Sequence, residues 1–231
     1  MKNLLFTATF LLAGFCGLAQ QGTFAPLMKH KPVNKNPLMA ADTVIWAGLD
    51  YSMVRMIGKD EFNVPDAIFP GMPIKWNTLF IDERIELVAK ALRKQVSIDI
   101  EGVTERNKTA TAKQIILTPG PKDVIKESHI TQDDIATAVQ SYKLEKKSGL
   151  GLVFIVDRFI EGRYVPPEPP GNKTGGRIAA RGAVYVVFFD VATREVISAK
   201  REVDSVGTGS NFRNTWFSSI KDADQTLSKY R

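Results

Sequence analysis

Cysteine is almost absent: the 231-residue chain has one, Cys16. It lies in an apolar stretch at the amino terminus that reads as an export signal, removed in the mature protein. The mature chain then has no thiol, which excludes disulfides, thiolate-bound zinc and a cysteine nucleophile. Histidine is scarce too, with only His30 and His129. His30 falls in a proline-rich tail, so the fold holds at most one. A two-histidine metal site is excluded there, and any Ser-His-Asp triad must use His129. No metal and no cofactor is expected. No later apolar run reaches the ~20 residues of a membrane span, so the mature chain is expected to lack a transmembrane segment. A large excess of one charge is also missing. The formal charge is +6, but Lys2, Lys29, Lys31 and Lys35 precede any acid, leaving 27 basic against 25 acidic residues over Asp42–Arg231. Nucleic-acid binders concentrate Lys and Arg on the folded surface, so nucleic acid is not an expected partner.

What is present begins with the export signal. Lys2 supplies the positive start, Leu4–Phe15 the apolar run, and Gly17-Leu18-Ala19 the small residues before a signal peptidase cut after Ala19. This predicts a periplasmic or secreted protein. A lipid anchor on Cys16 is not expected, because Phe15 puts a bulky ring where a lipoprotein signal needs a small residue. Residues 20–41 carry Pro26, Pro32 and Pro37 without sustained periodicity and read as a flexible linker. Residues 42–231 read as one domain.

Within the domain, Thr43–Ile57 reads as a long strand with an irregularity near Gly48. Pro73 to about Leu92 reads as a helix, with Trp76, Leu79, Phe80, Leu87 and Ala91 on one face. Val96–Ile100 alternates like a strand, and Arg106–Lys126 is ambiguous around Pro119-Gly120-Pro121. Thr131 caps a second helix with Asp134 three residues on; Ile135, Ala138, Val139 and Tyr142 form its stripe. Leu150–Ile160 and Ala183–Phe189 are apolar on both faces, which requires cover on both sides. The Pro- and Gly-rich stretch Tyr164–Gly176 joins them as a mobile connection. A turn at Asp190–Arg194 leads to a strand over Glu195–Val203. A last helix has the stripe Phe212, Trp216, Ile220, Ala223, Leu227 and Tyr230. The order β-α-β-α-β-β-β-α predicts a single α+β domain, with a mostly antiparallel or mixed sheet and helices packed on it.

The candidate sites are few. Gly207-Thr208-Gly209-Ser210-Asn211 precedes the last helix, and with Arg213 could cradle a small anion; the same residues also make an ordinary turn and cap. Asp50 and Asp157 interrupt apolar strand sequence. Each is a possible acid or base in a hydrolase, or a structural acid paired with Arg55 or Arg158. His129 could act as a general base with Ser128 or a distant serine, or simply precede the helix cap. Gly171-Asn172-Lys173-Thr174 lacks the glycines of a phosphate loop, and Gly149-Leu150-Gly151 precedes a strand, unlike a dinucleotide fingerprint. Asn107-Lys108-Thr109 and Asn172-Lys173-Thr174 match the glycosylation sequon, a chance match in a bacterial envelope. Trp46, Trp76 and Trp216 lie in apolar patterns and are expected in the core.

Gly151-Leu152-Val153-Phe154-Ile155-Val156, the strand ending Phe188-Phe189-Asp190, the turn Val191-Ala192-Thr193-Arg194-Glu195-Val196 and Phe212-Arg213-Asn214-Thr215-Trp216 resemble a group of uncharacterised secreted proteins of Gram-negative bacteria. The strand order and hairpin also resemble the amino-terminal domain of TolB and CsgG-like envelope proteins, at the level of fold. The resemblance implies an exported, non-enzymatic protein that binds or assembles with an envelope partner. It supplies no catalytic motif. Hydrolysis through Asp50, Asp157 or His129, and anion binding at Gly207–Arg213, remain the alternatives.

Overall fold

Two strands that are apolar on both faces organise the molecule. In β5 (Leu150–Ile160) and β8 (Arg181–Asp190), alternate side chains enter two separate cores. Leu152, Phe154, Val184, Val186 and Phe188 point to one core. Val153, Ile155, Tyr185, Val187 and Phe189 point to the other. A period of two makes this inevitable once both faces are covered. The coordinates are a computed structural model that describes residues 37–58, 62, 64–117, 128–165, 176–178, 180–206, 217, 220, 221 and 223–230. All of these lie in one compact unit, Lys35–Arg231.

The chain enters through a helical turn, α1 (Pro37–Ala40), whose Leu38 already packs in the first core. Next come β1 (Thr43–Asp50), β2 (Arg55–Ile57), a short α2 (Pro65–Ile68) and the long α3 (Gly71–Leu92). β3 (Gln95–Ile98), α4 (Glu101–Asn107), a 3₁₀ turn at Ala112–Gln114, β4 (Ile115–Ile116) and α5 (Gln132–Ser141) follow. After β5, β6 (Arg163–Val165) and β7 (Gly176–Ile178) pair as a separate two-stranded sheet, so the two ends of the expected mobile connection are strands. Residues 166–175 of that connection lie outside the described residues. β8 and β9 (Val196–Val206) complete the main sheet. Residues 217, 220, 221 and 223–225 are helical and run into a 3₁₀ turn, Thr226–Tyr230.

The main sheet is mainly parallel, and the fold is α/β; the α+β arrangement with a mostly antiparallel or mixed sheet expected from the sequence is corrected. β1 runs parallel to both β3 and β5, and β2 parallel to both β4 and β5. Only the β5–β8–β9 edge is antiparallel. The hairpin at Asp190–Arg194 is where the sequence places it, but it does not set the direction of the other strands. Helical crossovers return the chain in the same direction instead, as parallel pairing demands. α3 buries Trp76, Phe80, Val88 and Leu92 on one face, beside Phe217, Ile220, Ala223 and Leu227 from the end of the chain. On α3 the buried residue is Val88, and the expected Leu87 is exposed. α4 and α5 cover the other face with Val103, Ile135, Ala138 and Val139. A bidentate pair ties the carboxyl-terminal residues to α3: Arg84 donates to Asp224 at 2.6 and 2.8 Å.

The expected long first strand is broken in two. Register shifts between Trp46 and Gly48, where Gly48 has φ 116. A Cβ there would lie 2.8 Å from Asn77 Oδ1 and would strain the backbone. Gly48→Ala is expected to cost about 1–3 kcal/mol, read as a lower urea midpoint with unchanged slope. β1 then stops at Asp50, the chain turns over residues 51–54, and β2 resumes against the far half of β5. The neighbouring lane breaks alongside it, because α4 is inserted between β3 and β4.

Candidate functional site

A break in two adjacent strand lanes leaves buried backbone groups without a ladder partner, and these cost free energy unless satisfied. Three side-chain amides take the place of the missing strand. Asn77 of α3 accepts from the Leu49 N–H at 2.7 Å and donates to the Leu49 carbonyl at 2.9 Å. Asn107 of α4 accepts from the Tyr51 N–H at 2.6 Å and donates to the Leu49 carbonyl at 2.8 Å. Gln114 donates to the carbonyls of Tyr51 and Ser52 at 3.1 and 2.7 Å. Asp50 completes the set by accepting from the Ser52 N–H at 2.8 Å.

Asp50 is fully buried and fully engaged. Its second oxygen accepts from Tyr142 Oη at 2.7 Å and Arg106 Nε at 3.1 Å. Burial, then the Asp50 charge, pushes the Tyr142 phenol well above its ordinary value. The expected partner, Arg55, is replaced by Arg106, which α4 carries back to the end of β1. The group therefore works as architecture: a buried acid with every contact spoken for.

Asp157 sits two residues beyond Ile155, the residue paired with Asp50 on β1. It is the extra residue where the β5–β8 register shifts between Val156 and Arg158. Arg201 Nε and Nη2 approach its Oδ2 at 2.7 and 2.5 Å, and Arg158 Nε lies at 3.3 Å. His129 Nδ1 lies 2.9 Å from Oδ1, off the line of a good hydrogen bond. Burial pushes the Asp157 carboxyl up, but His129, Arg158 and Arg201 together outweigh it and hold the carboxyl below its ordinary value. The structure thus brings Asp157 and His129 together and keeps Asp50 in its own network.

His129 is not set as a general base. Its Nε2 lies 2.8 Å from the Met53 carbonyl, which can only accept, so that nitrogen carries the proton. Ser128, its expected partner, accepts instead from the Ile130 N–H at 2.9 Å. The helix start that follows is as the sequence predicts: Thr131 and Asp134 form a reciprocal capping box on α5. The Thr131 backbone and hydroxyl, and at longer range His129, hold the Asp134 carboxyl below its ordinary value. Trp46 and Trp76 are fully buried, Trp46 stacked 4.8 Å from Phe80, as expected of core residues. Gly207, Gly209, Ser210, Asn211, Arg213 and Trp216 lie outside the described residues.

A cavity of about 530 Å³ opens beside the strand break. Met53, Val54, Ile116 and Ile130 give it apolar walls. Ser52, Gln114 and His129 add polar atoms, and Arg55, Lys113 and Asp134 bring charge. Its position follows from the topology. The β1-to-β3 crossover runs over one face through α3, and the route to β5 over the other through α4 and α5. In an open α/β sheet that divergence leaves a crevice at the strand's carboxyl end.

Among the described residues no group of three or more His, Cys, Asp or Glu side chains is placed to hold a metal. No helix among them is long and apolar enough to cross a membrane. Sequence reasoning missed Asn77, Asn107, Gln114, Arg106 and Arg201. Asn77 alone carried a local signal, as a polar residue beside Trp76 and Phe80 on the buried side of α3. The others act across 44 to 63 residues of chain, which no local pattern reveals.

No known family matches the chain. No curated protein matches it either. A crystal structure described as a neuraminyllactose-binding hemagglutinin homolog from Helicobacter pylori is similar over 85% of this chain and 83% of its own, at 9% identity and a TM-score of 0.29. At that score it carries no conclusion about fold or function.

Proposed function

We propose that the chain is an exported envelope protein that works by binding, as a non-enzymatic module taken into an assembly through its open sheet edge. The observation that supports this most is the unequal treatment of the two edges. One edge is short and interrupted, with four residues in β3 and two in β4. Short edge strands are how proteins guard against unwanted pairing. The other edge, β9, runs for eleven residues and pairs only with β8 among the described residues. Such an edge can accept an extended partner segment through its backbone, with alternate side chains setting specificity. The expected occupant is a strand from an envelope protein. Export is supported by Lys2, Leu4–Phe15 and Gly17-Leu18-Ala19. Hydrolysis has less support, since the Nε2 proton of His129 goes to a backbone carbonyl and Asp157 is committed to Arg158 and Arg201. Anion binding at Gly207–Arg213 rests on the sequence alone.

The test is crosslinked capture of the tagged mature protein from its own envelope fraction, repeated with Ser198→Pro, which breaks the β9 edge. A reproducible partner lost in the folded variant is the expected outcome. A partner retained in full by the folded variant would overturn strand addition at β9.

A further inference from the structure

We propose that the cavity at the carboxyl end of β1 binds a small organic carboxylate that carries an apolar portion. This site is separate from the β9 edge and does not depend on strand addition there. Its volume of about 530 Å³ lies within the ~300–1,000 Å³ typical of small-ligand pockets. Its chemistry is uneven in a specific way. Arg55 of β2 and Lys113 of the 3₁₀ turn both face it, and neither side chain has a hydrogen-bond or ion-pair partner among the described residues. The acid on the lining, Asp134, already accepts from the Thr131 N–H at 2.8 Å and hydroxyl at 2.7 Å. Two cations without partners against one carboxylate, engaged through its Oδ2, leave a net charge that matches a single negative charge; a dianion would bring a second charge toward Asp134. Arg55 offers the planar fork that fits a carboxylate, and Lys113 a mobile point charge.

A further donor awaits the ligand. Ser52 Oγ is buried beside the cavity and has no hydrogen-bond partner, whereas the Gln114 amide and His129 Nε2 on the same lining are engaged by the fold. A buried hydroxyl of this kind is costly unless something completes it. The apolar side chains of Met53, Ile116 and Ile130 would take the ligand's hydrocarbon part. The amide substitutes at the strand break fix the site from behind. Gln114 holds Ser52 through its carbonyl, and Asn107 holds Tyr51. The donors are thus set on a rigid frame before a ligand arrives.

The test uses the whole mature chain with isoleucine methyl groups labelled for NMR. Benzoate should shift the Ile116 and Ile130 methyl signals saturably. Inorganic phosphate and butylamine should shift them weakly or not at all. The double variant Arg55→Gln/Lys113→Gln should weaken benzoate binding about tenfold or more, as expected for losing charge-assisted bonds, with an unchanged melting temperature. Three results would overturn the proposal. One is no saturable shift with benzoate at about 10 mM, where a complex of Kd 1 mM would be nine-tenths filled. Another is equal benzoate affinity in wild type and double variant. The last is phosphate or butylamine binding as tightly as benzoate.

Discussion

Asp157→Asn should cost about 3–5 kcal/mol, the range for removing one member of a buried ion pair. The substitution keeps the side chain's shape, removes its charge and turns one acceptor oxygen into an NH2 donor. Two arginines and His129 then face a neutral amide where a carboxylate stood. At about 2–4 °C per kcal/mol for a chain of this size, the melting temperature falls by roughly 6–20 °C. The pH dependence gives an independent reading. The folded carboxyl is held below its ordinary value, so its stabilising contribution is complete above the unfolded value of about 3.9. That contribution is lost as pH falls from there through the folded value. The wild-type advantage over Asp157→Asn should therefore be flat near neutrality and shrink below about pH 4. An advantage unchanged down to about pH 2 would show that the charge is not what matters.

Asn107→Leu should cost about 1–3 kcal/mol, the range for a buried donor left without an acceptor. Leucine fills the same space, so the loss isolates the hydrogen bonds. The Tyr51 N–H loses its acceptor, while the Leu49 carbonyl keeps Asn77. The exposed helix residue Thr78 offers a control, since Thr78→Val removes a hydroxyl bond that lies at the surface. A urea midpoint for Asn107→Leu no lower than that of Thr78→Val would remove the amides from the account of the strand break.

These two sites also mark where sequence reading succeeds and where it stops. β5, β8 and the α5 capping box are short-range patterns: nearly continuous apolar runs, and Thr131 with Asp134. Each appears in the structure where the local sequence places it. The direction of the strands is not a local property. Nothing within Thr43–Ile57 shows that β1 ends at Asp50, because the cause lies in α4, which occupies the place of the neighbouring strand. α4 itself was hidden: Glu101–Asn107 is seven residues long with one buried apolar side chain, Val103, too short for a stripe. The same distance explains the site. Asp50 and Asp157 were visible as acids in apolar strands. Their partners Arg106 and Arg201 come from other elements, and with those partners the two acids read as structure. The Asp157–His129 contact joins residues from β5 and the α5 approach, and pairs a lone histidine with a bulged strand.

The cavity follows the same logic. Lys113, Ser52 and Ile130 carry no signal in the sequence, Arg55 reads there only as a partner for Asp50 or Asp157, and the four become neighbours because the strand lanes break together. The β9 edge, by contrast, was half legible. Its hairpin turn is marked by Asp190, whose side chain accepts from the Ala192 and Thr193 N–H groups, both at 2.8 Å. Its exposure on the far side depends on which strands lie where, and that is set by the parallel crossovers.

The central proposal, that a partner strand adds to β9, is most directly tested by hydrogen–deuterium exchange on the mature protein, free and with its captured envelope partner. The account predicts slower exchange concentrated in Val196–Val206 on binding, with β3 and β4 at the opposite edge unchanged. Unchanged exchange across β9, with protection elsewhere on the surface, would contradict it.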